Sequence, residues 1–242
     1  MNSTIPTTST VTIQRAAERF HTEIDWLDSW HSFNFGGHYR RGQDGHGLLL
    51  VSNDDTVAAG GGFGTHPHTD MEIVTWVLSG RLEHRDSEGN VGVLYPGLAQ
   101  RMSAGRGIRH SEKNASDTEP VHFVQMWVPP DTLGIDPGYE QLDINAALDG
   151  GGLVPIASGQ GHANSITIHQ RDAVLWGARL AAGTSITLPD DPHVHLYVAV
   201  GSVELDGHDT LATGDAARLV SAGTLSVTAT DGPAELLVWA TA

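Results

Sequence analysis

The amino-acid sequence predicts an all-β protein built from two tandem copies of a small antiparallel barrel. Three observations carry that expectation. Short runs rich in β-branched and aromatic residues recur along the chain, each closed by Gly, Pro, Asn or Asp. The 242 residues include 29 Gly and 11 Pro, a supply that suits many short strands joined by turns. One pattern also occurs twice. Val77-Leu78-Ser79-Gly80, Leu94-Tyr95-Pro96-Gly97 and Ser103-Ala104-Gly105 return as Val198-Ala199-Val200-Gly201, Leu211-Ala212-Thr213-Gly214 and Ser221-Ala222-Gly223. The offset is 121 residues at Gly80 and 117 to 118 at the later anchors, as a hairpin four residues shorter in the second copy would give.

The first dozen residues are Ser/Thr-rich and read as disordered. Residues 11–28 read as a strand or turn leading into the barrel. Residues 48–52 form an apolar run, a buried strand, and Asn53-Asp54-Asp55 after it is a turn signal. Gly60 to Gly64 gives a flexible approach to His66. Residues 72–78, 81–86, 91–95, 98–102, 108–112 and 121–128 read as successive strands, with Glu88-Gly89-Asn90 at a hairpin tip. The expected domains are 1–130, a Pro/Gly/Asp-rich linker over 131–152 with a short helix around 139–148, and 153–242, where the strand rhythm resumes.

The formal net charge is −16, from 13 basic and 29 acidic residues. Nucleic acid and anionic membrane both need basic patches, so neither is an expected partner. With no cysteine there is no disulfide, thiolate ligand or thiol nucleophile. No signal peptide is recognisable at the N-terminus, and no apolar run approaches the ~20 residues of a membrane span. A cytoplasmic monomer is the expectation. The 14 histidines remain to be explained.

Two pairs of candidates stand out, His66-Pro67-His68 and His110-Ser111-Glu112. On a strand, residues i and i+2 share a face, so two neighbouring strands can bring two such pairs to one ion. Three imidazoles and a carboxylate suit Fe, Mn, Co, Ni, Cu or Zn. An HxH pair is expected about once by chance in a chain so rich in histidine, and His193-Val194-His195 is a second one. Aligning Gly201 with Gly80 sets the counterparts of His66 and His68 near residues 185–187, and those of His110 and Glu112 near Thr228 and Thr230. The second copy therefore lacks ligands, and His193 and His195 are expected at a surface or domain interface. His21 with Glu23 reads as an ordinary exposed pair.

The spacing Gly60-(x)5-His66-x-His68-(x)3-Glu72-(x)7-Gly80 closely resembles the first cupin motif, and His110-(x)3-Asn114 matches the end of the second. Three stretches narrow the likeness: His31-Ser32-Phe33-Asn34-Phe35, Phe63-Gly64-Thr65-His66-Pro67-His68, and the run from Ser103 through Gly105-Arg106-Gly107-Ile108-Arg109 to His110-Ser111-Glu112. Together they resemble the pirin family, close to its bacterial pirin-like quercetinase branch. Residues 11–130 carry the resemblance and the rest looks like a degenerate second cupin. The chain departs from the family at Leu98, where Asp is common after the Pro-Gly turn; a turn is affected, not the metal.

The resemblance implies a bicupin of two jelly-roll barrels. It also implies one divalent metal, Fe(2+) first, held by His66, His68, His110 and Glu112, with Glu72 structural or behind the ligands. It further implies ring-opening dioxygenation of quercetin-like flavonols, with a planar aromatic substrate, dioxygen, and Glu112 as ligand and base. Phe35, Phe63, Trp76, Phe123 and Trp127 are the aromatics available to a planar ligand. The alternative it leaves open is a non-enzymatic, metal-binding regulator that contacts a protein partner in a redox-dependent way.

Overall fold

Burial along single strands shows how the layers form. In Ile108–Asn114 the side chains at 108, 110, 112 and 114 are buried while those at 109 and 113 are exposed, the period of two of a strand with one inward face. In Glu72–Ser79 and Val121–Val128 nearly every position is buried, as in strands covered on both sides. The protein, described here from a computed structural model over residues 9–242, is organised around such doubly covered strands. The Ser/Thr-rich opening lies mostly outside the described residues, and Thr10–Gln14 is a strand rather than disordered chain.

The N-terminal unit pairs a seven-stranded sheet with a four-stranded one. The large sheet runs Gly138–Asp143, Leu98–Ser103, Glu72–Ser79, Val121–Val128, Val51–Val57, Leu27–His31, Phe20–Ile24; the small one runs Gly62–His68, Ile108–Asn114, Leu82–Asp86, Val91–Leu94. The C-terminal unit repeats the arrangement: Ala216–Val220, His193–Val200, Ala234–Thr241 and Ala173–Leu180 lie at the heart of its large sheet, and Ser185–Thr187, Ser226–Ala229, Ser202–Leu205, Thr210–Ala212 form its small one. In each unit the two sheets stay separate, so the expected barrels are open sandwiches, not closed cylinders. Gly80 and Gly201, the anchors of the repeat, have φ of 77° and 85°, and a Cβ on either would strike the carbonyl oxygen of Pro120 or Pro233.

Both sheet edges recruit distant chain. Thr10–Gln14 crosses over to pair with Ala216–Val220 of the C-terminal sheet, so it does not lead into the first barrel. Gly138–Asp143, expected as part of a helix in the linker, is instead an edge strand on Leu98–Ser103; helix is confined to one turn, Asn145–Leu148. A sheet edge with free N–H and C=O groups outcompetes weak helical propensity over so short a segment.

The two large sheets pack back to back. Val74, Trp76, Val124 and Met126 on one outer face meet Tyr197, Leu237 and Trp239 on the other in one continuous core, and the Trp239 indole lies 3.1 Å from the Met126 sulfur. Trp76 and Phe123 are spent on packing: Trp76 joins this shared core and donates to Glu235, while Phe123 is in a cluster inside the N-terminal unit. His195 is fully buried in the interface, beside Phe33 and His46, and His193 is half-buried against His46.

The two interiors differ. In the C-terminal unit Leu196, Val198, Leu236 and Val238 face Ile186, Val203, Leu205 and Val227 in an all-apolar core. In the N-terminal unit the equivalent row is polar. Thr75 corresponds to Leu196 through the Gly80 and Gly201 anchors, and cross-strand register then equates Gln125 with Val238, Gln100 with Ala217, and Asn53 with Trp176. Asn53, Asp54 and Asp55 do not form the expected turn. They are the middle of Val51–Val57, and all three are buried.

Because one core spans both units, unfolding is expected as a single calorimetric transition. Trp239→Ala should remove about 3–5 kcal/mol without splitting it. Urea melts followed by circular dichroism, with calorimetry beside them, check both outcomes.

Candidate metal centre

Three histidines converge inside the N-terminal unit. His66 and His68 project from Gly62–His68, and His110 from the adjacent strand, where it pairs directly with His66. Ligand-capable nitrogens of the three lie within 4.8 Å of one another, and the ring centroids are 4.4 to 4.9 Å apart. The pairing slips between His110 and Glu112, a β-bulge that adds a residue on the His66 strand. Gly62 permits the close approach of the two strands: a Cβ there would sit 2.5 Å from the Glu112 carbonyl oxygen. Gly62 thus serves packing, while a Cβ on Gly60 or Gly64 would meet nothing within 4 Å.

The protonation pattern suits a cation. His66 Nδ1 is 2.8 Å from the Gly64 carbonyl, which can only accept, so its proton sits there and Nε2 keeps a lone pair. His68 Nε2 and His110 Nε2 are buried with no hydrogen-bond partner. Burial, and then the neighbouring histidines, push His110 down to about 2; burial, and then His66, push His68 down to about 4. These imidazoles are neutral at physiological pH with nitrogen lone pairs unspent. A divalent metal would satisfy the orphaned atoms, and neutral imidazole is the form that binds it.

Glu112 lies behind His110 on the same strand face. Its carboxylate comes within the same 4.8 Å limit of His110 and His84, so it belongs to a second cluster that shares His110 with the first. Gln125 Nε2 donates to both Glu112 oxygens at 3.0 and 2.9 Å, and Trp127 Nε1 donates to Gln125 Oε1 at 3.0 Å. Burial raises the Glu112 carboxyl to about 7; Gln125 opposes the shift and Asp55 adds to it. Glu72 lies on the other face of its strand, bonded to Ser103 and the His169 amide, and plays a structural part. Asn114 ties three carbonyls of neighbouring loops. His21 pairs with Asp28 rather than Glu23, and stacks on Trp30.

The sequence reading passed over His84. It is fully buried opposite Glu112, with Nδ1 3.5 Å from His110 Nδ1 and Nε2 3.3 Å from Asp86. Asp86 is itself held by Asn90 and the Glu88 amide. Such a chain fixes the tautomer and orientation of a ligating histidine. The available signal was His84-Arg85-Asp86, another i, i+2 pair.

A cavity of about 460 Å³ opens on the cluster. Phe35, Phe63 and Trp127 supply aromatic wall, and Trp127 sits edge-on to His68 at 4.9 Å and to Phe35 at 5.7 Å. Ser29, His31, Asn53 and Asp55 form a polar wall. In the C-terminal unit the matching interior positions are apolar: through the Gly80 and Gly201 anchors His84 corresponds to Leu205, and cross-strand register then sets Val227, paired with Ile186, where the N-terminal unit has Glu112.

Two tandem double-sheet units, one bearing a histidine cluster and one without, define a bicupin. Residues 12–128 match the family described as Pirin, and residues 155–239 match the one described as Quercetinase C-terminal cupin domain. An Escherichia coli protein named quercetin 2,3-dioxygenase is 42% identical over 196 residues, covering 81% of this chain and 84% of that protein. A Mycobacterium tuberculosis protein provisionally given the same name is 55% identical over 233 residues, covering 96% and 95%. The crystal structure of YhhW from Escherichia coli is similar at a TM-score of 0.89 and 37% identity, covering 96% of this chain and 98% of that one; the same bacterial pirin in complex with nickel(II) gives 0.88. The chain belongs to the pirin family. No helix among the described residues is long and apolar enough to cross a membrane.

Gln125→Leu should expose what holds the buried carboxyl. Unfolded Glu loses its proton near 4.5 and the folded carboxyl near 7, so across that window the folded state binds more protons and stability falls as pH rises. Without the Gln125 donor the fall should extend above pH 7, and the variant should lose about 1–3 kcal/mol more at pH 8 than at pH 5. Urea melts of metal-free protein at the two pH values measure this.

Proposed function

We propose that this protein is a metal-dependent dioxygenase that opens the ring of quercetin-like flavonols. In this reading one divalent metal, Fe(2+) first, is held by His66, His68, His110 and Glu112. The observation that carries the reading is the convergence of three imidazoles, two of them with buried, unpartnered nitrogens, beside a cavity whose other walls are aromatic and polar. The names of the related proteins point the same way.

When bound, the metal would act as a Lewis acid on the substrate's hydroxyl–keto edge and support dioxygen chemistry there. The protein's own residues do the rest. His66, His68 and His110 fix the position of the centre, with Gly64 and His84 setting their ring orientations. Phe35 and Trp127 offer ring surfaces to a planar molecule and keep water from its faces. Glu112 is placed to take the proton of the flavonol hydroxyl on a carboxylate oxygen. Gln125 steadies its charged form.

Metal analysis run with an oxygen electrode tests the reading. The parent protein should hold about one transition metal per chain and consume dioxygen with quercetin, and His66→Ala and Glu112→Ala should lose metal and activity together. Metal binding that depends on these residues but brings no oxygen uptake would remove the dioxygenase and leave the binding site.

A further inference from the structure

The polar wall of the cavity continues from Gln125 onto the next strands, where Asn53 pairs with Gln125. Two cross-strand rungs build it: Ser29 opposite Asp55 and His31 opposite Asn53, on Leu27–His31 and Val51–Val57. Partners across a strand pair share a face, and all four side chains line the cavity. Ser29, His31, Asn53 and Asp55 are each at most 4% exposed.

Much of the hydrogen bonding in this wall is internal. His31 bonds Asn53 Oδ1 through Nδ1 at 2.9 Å and Thr22 through Nε2 at 3.0 Å, and Thr22 reaches His38. Ser29 Oγ donates to Asp55 Oδ1. Two groups are left over. Among the described residues, neither the second carboxyl oxygen of Asp55 nor the amide nitrogen of Asn53 has a side-chain hydrogen bond, and neither is among the polar atoms sealed from solvent without a partner. Both are thus open to the cavity.

Charge sharpens the contrast with the adjacent residue. Asp54, on the opposite face of the strand, takes Arg19, His122 and Tyr197 at the domain interface. Asp55 has no cation within salt-bridge distance among the described residues. Burial raises the Asp55 carboxyl to about 7, so its neutral form is populated near neutral pH. A neutral carboxyl both donates and accepts, and an amide NH₂ beside it donates. An apolar ligand would leave these groups unpaired, at a cost.

We propose that Asp55 and Asn53, braced by Ser29 and His31, form a subsite that binds a ring hydroxyl of the substrate, one other than the hydroxyl that reaches the metal. The preferred substrates are then planar aromatics with a further ring hydroxyl besides the metal-binding one. This rests on the flavonol reading above and adds what the polar wall of the cavity selects.

The test compares quercetin with unsubstituted flavonol, which keeps the hydroxyl–keto edge but has no other ring hydroxyl. Binding is read from quenching of tryptophan fluorescence, with protein loaded with nickel(II) and kept free of dioxygen so that no turnover intervenes. The parent should bind quercetin about tenfold more tightly, the size of one hydrogen bond to a buried polar group. Asp55→Ala should bring the ratio of Kd values close to one without weakening the binding of unsubstituted flavonol, while Asp55→Asn, which still donates and accepts, should restore most of the preference. Asn53→Ala, expected to lower the ratio in part, decides the matter if Asp55→Ala does not fold. An undiminished ratio in the alanine variants, or no preference in the parent, overturns the subsite alone. A parent that binds neither ligand overturns the flavonol reading and the subsite with it.

Discussion

A buried carboxyl group at the centre of the N-terminal unit sets terms for the residues around it. Glu112 is removed from water and faces no cation on its own, so the fold supplies donors. Gln125 points its amide at both oxygens, and Trp127 holds Gln125 in that orientation. The same two side chains then do a second job, since Gln125 and Trp127 also line the cavity. An unpaired buried charge would cost several kcal/mol. The polar row continues across the sheet from Gln125 into Asn53, Thr75 and Gln100. Two of its members, Thr75 and Gln100, keep buried oxygens without partners, a local cost that an apolar core would not carry.

The C-terminal unit shows what the same framework does when freed from that constraint. Its interior row is Trp176, Val238, Leu196 and Ala217, and Leu205 and Val227 stand where the other unit has His84 and Glu112. Its interior is apolar, and burial of such side chains stabilises a fold. Back-to-back contact through Tyr197, Leu237 and Trp239, together with the crossing strand Thr10–Gln14, extends that support to the polar unit. Arg19 spans the same interface: its guanidinium bonds Tyr197, the Trp30 carbonyl and the Gly214 carbonyl, and lies 3.6 Å from Asp54. One copy supplies rigidity and the other spends it on a site.

The misread elements share one cause. Asn53-Asp54-Asp55 has the composition of a turn and is a strand, because its alternate faces meet two polar environments, the cavity and the charged domain interface. Neither environment exists until distant segments pack. The segment around residues 139–148 was read as helix for the same reason: its partner, Leu98–Ser103, is remote in sequence. Trp76 and Phe123 could not be told from Phe35, Phe63 and Trp127 by type alone; strand parity and depth separated them.

The sequence by itself determined the all-β class, the duplication, and the four residues to examine for metal, because strand periodicity and short-range spacing are local properties of the chain. It also showed that the second copy has no histidines at the matching positions. Only the tertiary structure decided which carboxyl stands nearest the histidines, that Glu72 faces away from them, that His84 stands behind His110, and that Asp55 and Asn53 line the same cavity. Those outcomes depend on which strands become neighbours and on which face of each is enclosed. Burial and pairing between remote segments set them, and no local pattern of residues records either.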